Sequence, residues 1–166
     1  MAATHAATRK SARRSTAKNS AITLLKSDHE EVADLLDRYE KRKSKLQSAQ
    51  KQELAQEICA KLTAHAQIEE EIFYPTVAEQ IDDAEELVEE ARVEHESLKH
   101  LIGQIEGGSP DSEEYDARVK VLGEYVKHHV KEEQNELFPM VRKSDIDLAA
   151  LGDQLMARKQ ELMKDM

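Results

Sequence analysis

Six side chains in this sequence are of types that bind transition metals, and they recur at matched spacings: His29, His65, Glu69, His95, His129 and Glu133. Imidazoles suit iron, zinc, nickel or copper as terminal ligands, whereas carboxylates bridge neighbouring cations. Two of the histidines are followed four residues later by a glutamate, as His65-x-x-x-Glu69 and His129-x-x-x-Glu133. That step is about one helical turn, so each pair shares a face. The pattern also repeats: Asp28-His29-Glu30 returns 66 residues later as Glu94-His95-Glu96. His65, Glu69 and Pro75 return 64 residues later as His129, Glu133 and Pro139. One helical hairpin used twice explains both matches and predicts a pseudo-twofold arrangement. A single zinc takes about four ligands; this set suits two ions.

Side chains so far apart in sequence need long elements to bring them together, and four amphipathic stripes supply them. They run Ile22, Leu25, His29, Val32, Leu36, Tyr39; then Leu54, Ile58, Leu62, His65, Glu69, Phe73; then Leu87, Ala91, His95, Leu98, Ile102, Ile105; and last Leu122, Val126, His129, Glu133, Leu137, Met140. Apolar residues at steps of three and four mark helices facing a common core. In every stripe the metal-binding types interrupt the apolar run near its middle. Gly107-Gly108-Ser109-Pro110 is a turn, with Asp111 or Ser112 as caps for the fourth helix and Asp82 or Asp83 for the third. A first turn falls near Ser44 to Ser48. Pro75 and Pro139 are expected to end or kink helices two and four. A shorter fifth helix after Ser144 carries Ile146, Leu148, Leu151, Leu155 and Met156. The expected fold class is all-α: an antiparallel up-down-up-down four-helix bundle with an internal hairpin repeat over residues 21–142, followed by a short C-terminal helix over 143–166.

Residues on antiparallel neighbours sit at one height when they are equally far from the turn between them. The midpoint of His29 and His65 is residue 47, that of His65 and His95 is 80, and that of His95 and His129 is 112. Each falls in or beside a predicted turn, so the histidines share one layer well inside the bundle. Without cations such a layer would bury two carboxylates among polar rings, at several kcal/mol per unpaired charge.

Composition narrows the function. The chain has 166 residues and a net charge of −10. Residues 1–20 hold Arg9, Lys10, Arg13, Arg14 and Lys18 with no acid, so the rest carries −15. This tail, rich in Ala, Ser and Thr, is expected to be disordered and solvated; it has some features of a transit peptide. An acidic body argues against nucleic acid as the main partner. No apolar run approaches the ~18 residues of a membrane span. The lone Cys59 excludes an internal disulfide framework and suits a reducing, cytoplasmic setting, most simply as a small buried residue.

The pattern His … His-x-x-x-Glu … His … His-x-x-x-Glu resembles the hemerythrin family, in the subgroup of HHE cation-binding domains. The likeness covers about residues 20–160 and includes the Ile72-Phe73-Tyr74-Pro75 and Glu136-Leu137-Phe138-Pro139 segments. It implies two non-haem iron ions, or manganese or zinc in their place. Each would take two imidazoles, with Glu69 and Glu133 as bridges beside an oxo, hydroxo or water bridge. It also implies chemistry with a small oxidant: hydrogen peroxide, dioxygen or nitric oxide. Peroxide decomposition would make the protein an enzyme that counters oxidative stress; oxygen sensing or iron storage is the non-catalytic alternative. Oxygen-carrying hemerythrins have a fifth histidine where this chain has Lys99, and His100 falls one residue late, about 140° from His95 around the helix. A more symmetric centre with an extra open position is therefore expected, and oxygen carriage is disfavoured.

Other residues weigh less. Tyr125, one turn before His129, is a candidate donor to a bound oxygen species, or a plain core-edge tyrosine. His128 lies about 100° off the seam and is read as a surface residue. His5 belongs to the tail. Glu70, Glu71 and Glu132 are read as solvated, with a hydrogen bond to a ligand as the alternative. His95-Glu96-x-x-x-His100 misses the zinc-protease spacing by one residue. No Glu-x-x-His pair occupies the seams, which weakens a ferritin-like reading. A metal-free interaction module would leave the ligand layer unexplained.

Overall fold

A computed structural model describes residues 20–166, and among them seven α-helices form the fold. The tail expected over residues 1–20 lies outside the described residues, apart from Ser20. The helices are α1 (Ala21–Arg42), α2 (Ser48–Ile68), α3 (Tyr74–Gln80), α4 (Glu85–Glu106), α5 (Glu113–Glu132), α6 (Phe138–Lys143) and α7 (Leu148–Lys164). No strand occurs among the described residues. Helix α1 packs on α2 and α5, and α4 packs on the same two, closing a ring of four antiparallel helices.

Helix ends follow local chemistry. The Ser20 hydroxyl accepts from the Thr23 backbone N–H at 3.3 Å and starts α1. Gln47 and Gln50 cap α2 reciprocally. The Asp147 carboxylate accepts from the Ala150 N–H at 3.0 Å and starts α7. Ser112 stands at the start of α5, as expected, without a side-chain capping bond; Glu113, Glu114 and Asp116 favour its positive end instead. Asp82 and Asp83 do not cap α4. They form a 3-10 turn with Ala84 that leads into it, so the first α-helical N–H groups continue an existing turn and need no side-chain acceptor. In the Gly107-Gly108 turn a Cβ on Gly108 would stand 2.9 Å from the Gln104 carbonyl oxygen, so that close approach needs a glycine.

Two departures from the expected fold matter for the site. Pro75 and Pro139 do not end their helices. Each is preceded by a five-residue π-helical turn, Glu69–Phe73 or Glu133–Leu137, after which the helix resumes as α3 or α6. Proline clashes with the carbonyl four residues back in an α-helix, and the wider π turn makes room for it. The C-terminal helix also begins later than expected, at Leu148, with Ile146 buried just before it, and runs for 17 residues. It packs on α1, α2 and the first π turn.

The apolar interior falls into two blocks. One gathers Leu25, Ala64, Ile68, Phe73, Val88, Leu137, Phe138 and, from α7, Leu151 and Leu155. The other gathers Val32, Leu35, Ile58, Leu62, Leu98, Ile102, Leu122 and Val126. Along each of the four long helices the change from one block to the other falls at or beside a histidine: His29, His65, His95 or His129. Burying a large apolar side chain at such a position would contribute about 1.5–3 kcal/mol. The bundle forgoes that gain across a whole layer.

Candidate metal centre

The four histidines and two glutamates of the layer are all buried, Glu69 completely at 0% exposure. They form two sets. In the first, His29 Nε2 lies 3.1 Å from His65 Nε2 and 3.2 Å from Glu133 Oε1, while His65 Nε2 lies 2.6 Å from Glu69 Oε1. In the second, His95 Nε2 lies 3.1 Å from His129 Nε2 and 3.2 Å from Glu69 Oε2, and His129 Nε2 lies 3.4 Å from Glu133 Oε2. Each carboxylate therefore turns one oxygen to each histidine pair. All six residues named from spacing come together here. The carboxylates occupy the first position of each π turn, a helical irregularity frequent at functional sites.

Every imidazole is held from behind through Nδ1. Nδ1–H of His65 donates to Asp28 at 2.9 Å, that of His95 to Glu70 at 2.9 Å, and that of His129 to Glu94 at 2.5 Å. The Gln134 amide meets His29 Nδ1 at 2.9 Å; with its oxygen turned inward, a flip that leaves the shape unchanged, it accepts the same proton. These partners select the tautomer whose Nε2 lone pair faces the layer. They obey the internal repeat: Asp28 and Glu94 each precede one histidine and hold another, and Glu70 and Gln134 each follow one of the two layer glutamates. Lys99 backs Glu70 at 2.5 Å, and Lys159 of α7 pairs with Asp28.

The arrangement fits a pair of cations. Glu69 Oε1 and Glu133 Oε1 are buried and accept no hydrogen bond. Both lie close to an imidazole nitrogen, yet no N–H points along either contact. With Nδ1 protonated, the two Nε2 pairs at 3.1 Å set lone pair against lone pair. Cations between them resolve both conflicts. Without cations, protons must do so. Burial opposes a charge on His65, but Glu69 and Asp28 outweigh it and push its pKa up to about 10. Burial is likewise outweighed at His129 by Glu133, Glu69 and Glu94, and the pKa is pushed up to about 12. Glu69 is held well below the usual carboxylate range, its burial outweighed by His65, His129 and His95.

A residue not anticipated from spacing completes the layer. The Tyr74 hydroxyl is buried 2.6 Å from Glu69 Oε2 and 2.7 Å from Glu133 Oε2, and 3.2 Å from His95 Nε2. Its repeat equivalent, Phe138, stacks on His29 with centroids 5.9 Å apart and planes 4° from parallel. The centre is thus less symmetric than expected. Tyr125 is not its counterpart: it is 48% exposed, because Val126 takes the inward slot and Tyr125 turns about 100° outward. Glu70 is no solvated residue but the partner of His95. Glu71 pairs with Arg158 of α7, and His128, its side chain 63% exposed, lies beside Glu94 and Glu132. His100 is exposed. Cys59 is buried among apolar residues, and burial pushes its thiol up to about 12.

On the face of the layer away from Tyr74 lies a cavity of about 20 Å³ bordered by all four imidazoles and by Val32, Leu62, Leu98 and Val126. That is room for one water-sized molecule. A groove of about 520 Å³ between α1 and α5 shares His29, Val126 and Val130 with it.

Comparison with known proteins agrees with this geometry. A crystal structure of a hemerythrin HHE cation binding domain-containing protein from Mycobacterium kansasii superposes with a TM-score of 0.72, covering 88% of each chain at 20% identity, a likeness of fold. A DNA nickase of Nostoc sp. is 36% identical over 93 residues, which is 56% of this chain and 26% of that protein. The chain therefore spans about a quarter of that relative's length. The family pattern described as hemerythrin HHE cation binding domain matches residues 20–141. The chain belongs to the hemerythrin HHE cation-binding family, and it carries that family's histidine and glutamate cluster in the middle of a helical bundle.

Proposed function

We propose that the layer holds two iron ions, one at His29 and His65 and one at His95 and His129, bridged by Glu69 and Glu133, and that the centre reacts with a small oxidant. The observation that carries this reading is the division of each buried carboxylate between two histidine pairs, with both Oε1 atoms left without a donor. A redox-active ion pair supplies Lewis acidity and two electrons to peroxide, dioxygen or nitric oxide. The chain's own residues do the rest. Asp28, Glu70, Glu94 and Gln134 fix the imidazoles, and the apolar cavity admits one small molecule while excluding bulk water.

Peroxide decomposition is the activity favoured, within a reducing cytoplasm where Cys59 stays a thiol. None of the described helices is long and apolar enough to cross a membrane. DNA nicking is named for a protein of which this chain covers a quarter; the net charge of −15 beyond residue 20 gives phosphate little to bind. To test the reading, the iron-loaded protein is mixed with hydrogen peroxide and oxygen release is followed. Release that disappears in His65→Ala supports it. An iron-loaded protein inert to peroxide and nitric oxide alike would overturn the catalytic reading in favour of sensing or storage.

A further inference from the structure

The internal repeat gives the layer two outer flanks, and they differ in kind. Shifts of 64 and 66 residues set His128 on Ala64, Glu132 on Ile68, Glu90 on Leu24 and Glu94 on Asp28. On the first flank Leu24, Ala64 and Ile68 are buried in the block that Leu151 and Leu155 of α7 help to fill, and Lys159 neutralises Asp28. On the second flank the same three apolar positions hold an imidazole and two carboxylates. Solvent reaches them: the side chain of His128 is 63% exposed, that of Glu132 32% and that of Glu94 19%. Among the described residues no lysine or arginine pairs with Glu90, Glu94 or Glu132.

We propose that Glu94, His128 and Glu132 form a further cation site, on the surface, which captures ferrous iron and passes it inward to the layer. The destination of the ion rests on the two-ion reading; the outer site does not.

The donors are of the right types and range. His128 Nε2 stands 3.1 Å from Glu132 Oε1 and 3.5 Å from Glu94 Oε1. Donors bound at about 2.1 Å to a tetrahedral ion are about 3.4 Å apart. One donor atom of each residue lies within 4.8 Å of both others, and rotation of the exposed side chains closes the difference. Two carboxylates held that close repel each other, and a cation between them replaces repulsion by attraction. The imidazole beside them favours a transition metal over magnesium or calcium. Exposed acids are common without an ion. These are set apart by the joint replacement of three apolar residues around the anion that holds a layer histidine, and by their connection inward.

That connection is a cavity of about 10 Å³, with Glu90, Glu94 and Glu132 in its wall together with His129 and Glu133. It has room for one water-sized body. Glu133 is 3% exposed, and its Oε1 accepts no hydrogen bond. Glu94 belongs to both sites, since Oε1 faces His128 while Oε2 holds His129 Nδ1. A cleft lined by one sign of charge concentrates the opposite ion at its mouth. Transfer exchanges the His128 and Glu132 donors for Glu133 and a layer imidazole, with no change in oxidation state.

The test compares the full chain with His128→Ala/Glu132→Gln and, as a control at another exposed histidine, with His100→Ala. All are stripped by chelator and checked for helix content by circular dichroism. Zinc bound per chain is counted by equilibrium titration. Ferrous iron uptake in the absence of air is timed by quenching with a chromophoric chelator. The double variant should bind one zinc fewer than the wild type and take up iron about tenfold more slowly, to the same final iron per chain. His100→Ala should match the wild type in both. Equal zinc counts in the wild type and the double variant, or the same loss in His100→Ala, overturn the outer site. A lost zinc with an unchanged uptake rate overturns the entry role. A wild type that takes up no iron overturns the entry role together with the two-ion reading, and the zinc difference then decides the outer site alone.

Discussion

Replacing Asp28 by Asn probes how the outer partners govern the centre, and its size follows from the contacts. Asp28 is 6% exposed, accepts from His65 Nδ1 at 2.9 Å and pairs with Lys159 of α7. Burial raises its pKa, but His65 and Lys159 prevail and hold it below the usual range. Its stabilisation is therefore present above the ordinary carboxylate pKa and lost as the pH falls through the lowered value. Asparagine keeps the shape and the oxygen that accepts from Nδ1–H, and loses the charge. Partners of this kind are worth 10–100-fold in metal affinity. Since the acceptor remains, the lower end applies: about tenfold, or ~1.4 kcal/mol. Lys159, its side chain 26% exposed and partly screened, loses its anion at a cost of about 1 kcal/mol, or about 2–4 °C in the metal-free Tm. Competition against a chromophoric chelator reads the first quantity and thermal melting of chelator-stripped protein the second. Affinity within twofold of wild type together with an unchanged Tm would refute the role given to Asp28.

Two further outcomes are expected. In the metal-free protein the raised His65 contributes stability that is complete below the ordinary histidine pKa of about 6.5 and disappears as the pH rises through about 10; His129 and His95 act in the same direction. Tm of stripped protein should then fall between those limits, and a flat or rising Tm would contradict the protonated layer. Val126→Phe places a ring at the boundary shared by the cavity and the groove. It should cost about 1–3 kcal/mol by overpacking, keep the bound metal and slow azide binding; an unaltered azide rate would show that small molecules enter elsewhere.

Much of this molecule was legible from its residues, and the gaps have physical causes. Three midpoints placed four histidines at one height, and the structure brings them within 3.1 Å in pairs. Tyr74 was illegible because in an unbroken α-helix it lies five residues, about 140°, from Glu69. The π turn closes its ring at that same interval, with the Tyr74 N–H on the Glu69 carbonyl, and stacks the two. Pro75 was the available clue, since proline clashes with the carbonyl four residues back and the wider π turn makes room for it. Tyr125 had the α-helical spacing but lay one residue off the inward line. Asp28, Glu94, Glu70 and Gln134 sit beside layer residues in sequence yet serve histidines on neighbouring helices, a relation that spacing along one helix cannot express.

Anomalous diffraction at the iron edge, from crystals of protein produced under iron-replete growth, locates any iron in the layer. Two peaks about 3.5–4 Å apart are expected, one against His29 and His65 and the other against His95 and His129. No peak in the layer, or a single one on the midline between the pairs, would contradict the two-ion reading.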